Sequence, residues 1–442
     1  MAPVVGLARY TTPRTSVRQV IELAGGLGRI RPSERVFVKP NLVYWSRGAP
    51  FPKWGCLTTS RVVHDIVALL AEHGVSDIVL GEGTVMFDPR DHQTQLRAFE
   101  ALGYGELERR YGVRLVPVLQ RRFDKVDLGD GLHARLNRDA LEADVVVDLP
   151  VLKTHAQAVV SLGIKNLKGL LNPKGRRDFH RVDPDGDLHD RVARLADVFP
   201  RVLTVIDGIY SLERGPGPDG KAHRANALAA SWDPLSADQV GARLLGHPPE
   251  TVPHLARVAA RWQRPADGSD VEVRGEPVET LARPHKHQFA YDDEAQLPAP
   301  MARMGLVGLT LPQVDLSLCT YCSLVVSPML GSIAFAWRGK AWDDVEVLTG
   351  KSQRATPGKR TVLLGQCLVR SHRDHPDLAD MLPVDGCPPA PEAIVQALHT
   401  AGIAVDPSIL THLDQAASLQ LHRYRGKPEF DEAFFRIEPE TG

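Results

Sequence analysis

Short runs of β-branched residues alternate with apolar stripes of helical period along most of the 442-residue chain. That alternation predicts an α/β fold whose N-terminal domain is built on a largely parallel sheet. Val36, Phe37 and Val38 form a strand-like run that must end at Lys39, Pro40 and Asn41, because proline lacks the N–H a ladder needs and asparagine favours a turn. Over 60–73, Val62, Val63, Ile66, Val67, Leu69 and Leu70 recur at helical spacing, and Gly74 follows as a C-terminal stop. A strand over 76–80 runs into Gly81-Glu82-Gly83-Thr84, another occupies 144–149, and a third ends at Gly208. A short strand at 227–231 and a helix at 237–245 complete a first unit, expected at 1–252.

From 253 to 300 the long apolar runs give way to charge, Pro and Gly, which predicts a crossover or linker. Beyond it, apolar runs at 344–348 and 361–364 and a helical stripe at 391–400 predict a smaller α/β unit at 301–405. A helix and charged tail are expected at 406–442. The 53 basic residues nearly balance the 54 acidic ones, so no electrostatic bias toward nucleic acid or anionic lipid follows. No apolar run approaches the length of a membrane span, and the N-terminus lacks the apolar core of a signal peptide. A soluble cytoplasmic protein is expected, with neither nucleic acid nor membrane as partner.

Four of the five cysteines fall in the smaller unit: Cys319 and Cys322 as Cys-x-x-Cys, Cys367 after an apolar run, and Cys387 in Gly-Cys-Pro-Pro. Four soft thiolates in an intracellular chain read as a metal site rather than as disulfides. A four-cysteine zinc site normally pairs two Cys-x-x-Cys knuckles, whereas here one knuckle is joined by two isolated cysteines. That layout suits an iron–sulfur cluster better, although zinc and inert buried thiols stay open as alternatives. Cys56 lies far from the set.

Ligands of open α/β sheets collect outside the carboxyl ends of the strands. Pointed chemistry falls there: Lys39 and Asn41 after one strand, Glu82 after the next, Lys153 and His155 after a third, and Asp207 in a fourth. The stretch 161–175 adds Lys165, Asn166 and Lys168 among glycines that permit close backbone approach. Lysines so placed are point-charge binders of phosphate or carboxylate, which predicts a small anionic substrate. Lys39, Lys153 and His155 are the candidate catalytic groups. Asn41, Glu82, Lys165, Asn166, Lys168 and Asp207 are the candidate substrate ligands. A divalent ion held by His155, His180 or His189 with Asp207 or Glu82 is a weaker alternative, since no metal-ligating spacing links them.

The ordered segments K-P-N, G-E-G-T, D-L-P-V-L-K-T-H, G-I-K-N-L-K-G-L-L, D-L-H-D, V-I-D-G-I, G-P-G-P-D-G and S-W-D-P-L-S-A-D span about 36–249. Together they resemble the family catalogued as domain of unknown function 362, many members of which are iron–sulfur proteins. The ferredoxin-like Cys run common in that family is absent here. Instead, Cys319, Cys322, Cys367 and Cys387, with the helix after Gly-Cys-Pro-Pro, resemble the proximal-cluster region of nickel–iron hydrogenase small subunits and the related complex I subunit. That resemblance implies a 4Fe–4S cluster on a flavodoxin-like unit.

The expected function is therefore a 4Fe–4S oxidoreductase acting on a small anionic substrate, with a ferredoxin or flavodoxin as electron donor. A lyase or transferase with a structural or Lewis-acid cluster, and a non-catalytic electron carrier or assembly factor, are the alternatives. Convergent lysines at the strand ends distinguish an enzyme from a carrier.

Overall fold

The computed structural model describes residues 2–85, 91, 93–182, 186–376 and 380–439. The first strands are β1 (Val4–Arg9), β2 (Arg35–Pro40), β3 (Asp77–Glu82), β4 (Arg114–Pro117), β5 (Phe123–Asp127) and β6 (His133–Asn137). They are followed by β7 (Val145–Leu149), β8 (Val151–His155), β9 (Val159–Val160), β10 (Val202–Glu213), β11 (Lys221–Ser231) and β12 (Glu272–Gly275). Ten of these form one sheet in the order β12-β1-β11-β10-β7-β2-β3-β4, with β8 and β9 branching from β10, while β5 and β6 pair separately. Its centre, β10-β7-β2-β3-β4, is all parallel, and β11 returns antiparallel against β10 and β1.

The continuous apolar runs of β2 and β7 are explained by burial on both faces, as parallel strands require. Val36, Val38, Val145 and Val147 point into one core, and Phe37 and Val146 into the other. The helix Ser60–Glu72 covers the first core with Val62, Val63, Ile66 and Val67. Its first turn is capped by Thr59, whose hydroxyl accepts from the Val62 N–H.

The second unit contains β13 (Leu309–Thr310), β14 (Val345–Leu348), β15 (Arg360–Leu364) and β16 (Leu382–Val384), all parallel and adjacent in chain order. In the flavodoxin order 2-1-3-4-5 the second strand lies outside the first, so the strand order here is sequential rather than flavodoxin-like. The helices Thr320–Ala336 and Pro391–Thr400 complete its core through Val325, Met329, Ile333, Ile394 and Leu398. The mixed α/β class with a large, mostly parallel sheet is thus the architecture adopted.

Two segments lie differently from their expected boundaries. Within 253–300, the helix Pro253–Arg261 buries Leu255 and Val258 in the first unit, and β12 pairs with β1. The region looked like a linker because the helix buries one side only and β12 is an edge strand with exposed Glu272 and Arg274. At the other end, Tyr424, Phe435 and Ile437 return to the first unit's core. No helix among the described residues is long and apolar enough to cross a membrane.

Candidate functional site

The carboxyl ends of β2, β3, β7 and β8 carry one buried polar network. Lys39 Nζ donates to Glu82 Oε2 at 2.7 Å, with both side chains sealed from solvent. Lys153 Nζ donates to Asn41 Oδ1 at 2.7 Å and to the carbonyls of Cys56 and Pro216 at 2.8 and 3.4 Å. Asn41 Nδ2 in turn donates to Asn166 Oδ1, and Asn166 Nδ2 to Asp148 Oδ1, both at 2.8 Å. Asp148 Oδ2 has no partner, and burial pushes this carboxyl well above the usual range. Gly169 packs on the ion pair so closely that a Cβ there would press on Glu82 Oε1 and stand 2.8 Å from Lys39 Nζ.

Outside this network lies a cleft of about 510 Å³ between the two units, lined by Asn41, Glu82, His155, Lys165, Asn166 and Lys168 on the strand-end side. Lys165 has no hydrogen-bond or ion-pair partner among the described residues. Burial, and then Lys168 and Lys153, hold its ammonium well below the usual lysine range, so the empty site favours the neutral amine and an anion placed there would restore the charge. His155 Nδ1 accepts from the Gln157 and Ala158 N–H groups at 3.1 and 3.3 Å, which leaves the proton on Nε2 facing the cleft. Burial, reinforced by Lys165, pushes His155 well below neutrality, so a neutral imidazole with a free Nε2–H is presented. His180 donates through Nδ1 to the Leu316 carbonyl at 3.0 Å and accepts through Nε2 from Lys168 at 3.1 Å.

The same contacts bind the two units together. Lys168 Nζ also donates to Thr320 Oγ1 at 3.2 Å, and Gln157 Nε2 donates to the Asp315 and Leu318 carbonyls at 2.7 and 2.9 Å. These residues frame Cys319, and Leu318, Thr320 and Ser323 themselves line the cleft. Cys319 precedes the helix Thr320–Ala336, Cys322 lies in its first turn, and Cys367 lies in the first turn of the helix Gln366–Ser371. Two backbone bonds, Gly365 N to Val384 O and Gln366 N to Gly386 O, both at 2.9 Å, hold the Cys367 turn against the Cys387 turn.

A hydrogen bond with Cys319, then burial, then the charges of Cys319, Cys387 and Cys367 push the Cys322 thiol up, whereas the same bond brings Cys319 down to about 5. Four all-sulfur donors from three adjoining turns therefore share one neighbourhood, the donor chemistry a cluster needs. No group of three or more His, Cys, Asp or Glu side chains is drawn into metal-binding geometry among the described residues.

Several expectations change at the level of the residue. Lys39 and Lys153 sit behind the cleft wall, 0% and 1% exposed, with their ammonium groups held by protein oxygens. They support the site rather than contact a ligand. Asp207 is equally withdrawn, because Oδ2 accepts from the Thr59 N–H and hydroxyl at 2.7 and 2.8 Å and Oδ1 from the Ile209 N–H. The alternative of a histidine metal site is not assembled: no group of three or more His, Cys, Asp or Glu side chains gathers among the described residues, His155 Nδ1 and both His180 nitrogens are occupied, and His189 stacks on His254, 6.0 Å away. Asn41, Glu82, His155, Lys165, Asn166 and Lys168 do come together.

The sequence reading missed the other half of the cleft. The helix Thr320–Ala336 contributes Val326, Leu330 and Ala334, and the segment before β13 contributes Pro298, Pro300 and Met301. The available signal was a stretch without a charged residue from Thr320 to Trp337. The Gly215–Gly220 loop supplies Gly215, Pro216 and Asp219 to the lining.

Residues 36–243 match the family model described as Domain of unknown function (DUF362). The thylakoid-associated protein sll1697 of Synechocystis sp. is 31% identical over 246 residues, covering 54% of this chain and 72% of that protein. Among solved structures, the lactate racemase apoprotein from Thermoanaerobacterium thermosaccharolyticum aligns with 55% of this chain and 57% of its own length, at 13% identity and a TM-score of 0.31. That likeness carries no weight for fold or function, and this chain spans only a little over half of that protein. The matched motifs include the strand ends and the Gly163–Gly169 turn that build the cationic wall, and the chain belongs to the DUF362 family.

Proposed function

We propose that this protein holds one 4Fe–4S cluster on Cys319, Cys322, Cys367 and Cys387 and acts as an oxidoreductase on a small anionic substrate bound in the strand-end cleft. The observation that carries this reading is the shared wall. Leu318 and Thr320 flank Cys319 and also line the cleft, while Lys168 reaches from the strand-end side to Thr320. Such a cluster, when bound, supplies one-electron transfer.

The chain's own residues bind and orient the substrate. Lys165 is the unpaired amine whose protonated form an anionic group would stabilise, and the His155 Nε2–H is a neutral donor to a substrate oxygen. Because Nδ1 is blocked by two N–H donors, His155 is suited to polarise that oxygen and unsuited to act as a base. Asn41 and Asn166 are held in place by Lys153 and Asp148, so the ligand meets a pre-organised surface. A ferredoxin or flavodoxin as electron donor and a cytoplasmic location belong to the same proposal.

The test is anaerobic purification from iron-replete cells. About four irons and four sulfides per chain are expected. Cys387→Ser should lower both, whereas Cys56→Ser should spare them, because Cys56 is sealed beside Lys153 and the Pro216 carbonyl. Colourless protein with one zinc per chain, or equal losses from both substitutions, would overturn the reading.

A further inference from the structure

The cleft is larger and less polar than a bare oxoanion needs. Water takes about 30 Å³ in the liquid, and sites of about 300–1,000 Å³ hold drug-sized ligands, so about 510 Å³ leaves most of the space beyond any head group at Lys165. The cations Lys165, Lys168 and Arg176 and the Nε2–H of His155 gather on the strand-end side. Val326, Leu330 and Ala334, one helical face of Thr320–Ala336, form the wall from the second unit, with Met301 and two prolines beside them. The adjoining face of that helix, about 100° round its axis, carries Val325, Met329 and Ile333 into the second unit's core, and Leu330 packs on the edge of that core. Core packing therefore accounts for that face and part of Leu330, and leaves Val326 and Ala334 unexplained.

The lining carboxylates do not reverse the charge balance. Glu82 is paired with Lys39, and Asp219 lies beside Arg423 and Ser327.

We propose, resting on the anion-site reading above, that the ligand is an amphipathic anion whose carboxylate or phosphate head sits at Lys165 and whose apolar body, chain or ring, lies along the Val326–Leu330–Ala334 face. Charge complementarity fixes its orientation, since Arg423 beside the apolar face is already met by the Asp219 carboxyl, whereas Lys165 has no partner among the described residues. Thr320 and Ser323 lie at the start of the same helix, so the ligand spans from the cysteine end of the helix toward its C-terminal end.

Calorimetric titration of the iron-loaded protein tests this with acetate, octanoate, 2-naphthoate, octyl phosphate, inorganic phosphate and octan-1-ol. At least one of octanoate, 2-naphthoate or octyl phosphate should bind about tenfold or more tightly than the corresponding bare anion and than octan-1-ol. Which of the three gains most distinguishes carboxylate from phosphate and chain from ring. Ala334→Trp, or Leu330→Gln should that variant not fold, should abolish the gain while leaving acetate or phosphate binding in place. Lys165→Met should abolish the preference for the acid over the alcohol.

Equal affinity for bare and amphipathic anions, or an undiminished gain in a correctly folded Ala334→Trp or Leu330→Gln protein, would overturn the inference and leave the anion site standing. Failure of every anion to bind would overturn both. Iron content and melting temperature, measured on each variant, separate loss of the fold from loss of the ligand.

Discussion

Lys153 is buried and Lys165 half-buried beside the same strand ends, yet only Lys153 has its ammonium held by protein oxygens. Lys153→Met leaves Asn41 Oδ1 and two carbonyls without their donor, so it is expected to destabilise the fold by about 2–4 kcal/mol in urea unfolding. Lys165→Met removes an unpaired amine and should leave stability unchanged or slightly higher. Its cost falls on the ligand: loss of a charge-assisted contact worth about 1.5–3 kcal/mol weakens anion binding about ten- to more than a hundredfold. If both variants lost binding with no change in stability, the distinction drawn between the two lysines would be wrong. Asp238 supports Lys165 from behind, accepting from the Gly163 and Ile164 N–H groups at 2.6 and 2.8 Å. Burial pushes its carboxyl from 3.8 up to about 7, so its stabilising contribution is full below 3.8 and lost as pH rises to about 7. The stability difference between the wild type and Asp238→Asn should therefore decline across that window and level off above it. Parallel unfolding profiles from pH 4 to 8 would refute this.

At the scale of the element, the turn after β15 brings two cysteine segments into register. Gly365 has φ +96°, and a Cβ there would stand 3.3 Å from Cys322 Sγ. Alanine is strained at that φ and would crowd the thiol, so Gly365→Ala should lower iron and sulfide content. The first unit's unfolding should be unaffected, because Gly365 packs on Cys322 and the Gly386 turn instead of on the large sheet. Normal iron content in the variant would show that the turn does not govern cluster retention. The helix Thr320–Ala336 obeys the same logic at greater length. It follows Cys319, buries one face in its own unit and turns the adjoining one to the cleft, so the cysteine end and the cleft wall belong to one element.

At the scale of the whole molecule, the C-terminal segment ties the units together. After leaving the second unit it crosses back, and the Tyr210 hydroxyl donates to the Glu429 carbonyl at 2.9 Å, while Trp54 Nε1 donates to the Asp431 carbonyl at 3.2 Å. Trp54, Tyr424 and Phe430 form one aromatic cluster, and Phe435 stacks 6.0 Å from Tyr210. Phe435→Ala should cost about 3–5 kcal/mol of the first unit's stability, as emptying a buried aromatic site does. Denaturant unfolding followed by hydrogen exchange in the first unit's sheet would detect it, and an unchanged midpoint would show that the strap is not a stabilising part of that unit. Gln420 and Arg423, at the start of the strap, also line the cleft, so three parts of the chain enclose it.

Local chemistry determined much of this from sequence alone. The apolar run of β2 and its stop at Lys39-Pro40-Asn41, the helix Ser60–Glu72 and the alternation of strands with helices were legible because period, proline and caps act within a few residues. The cationic residues at the strand ends were legible for the same reason, since a parallel sheet delivers its strand ends to one edge. Which of those cations would be free was not legible. Lys39, Lys153 and Lys165 look alike in sequence, and only the packing of Glu82, Asn41 and the Pro216 carbonyl against the first two leaves the third unmatched. The apolar wall, the strap and β12 were decided in the same way. Each depends on contacts between residues far apart in the chain, where burial is a property of the assembled fold and not of any local pattern.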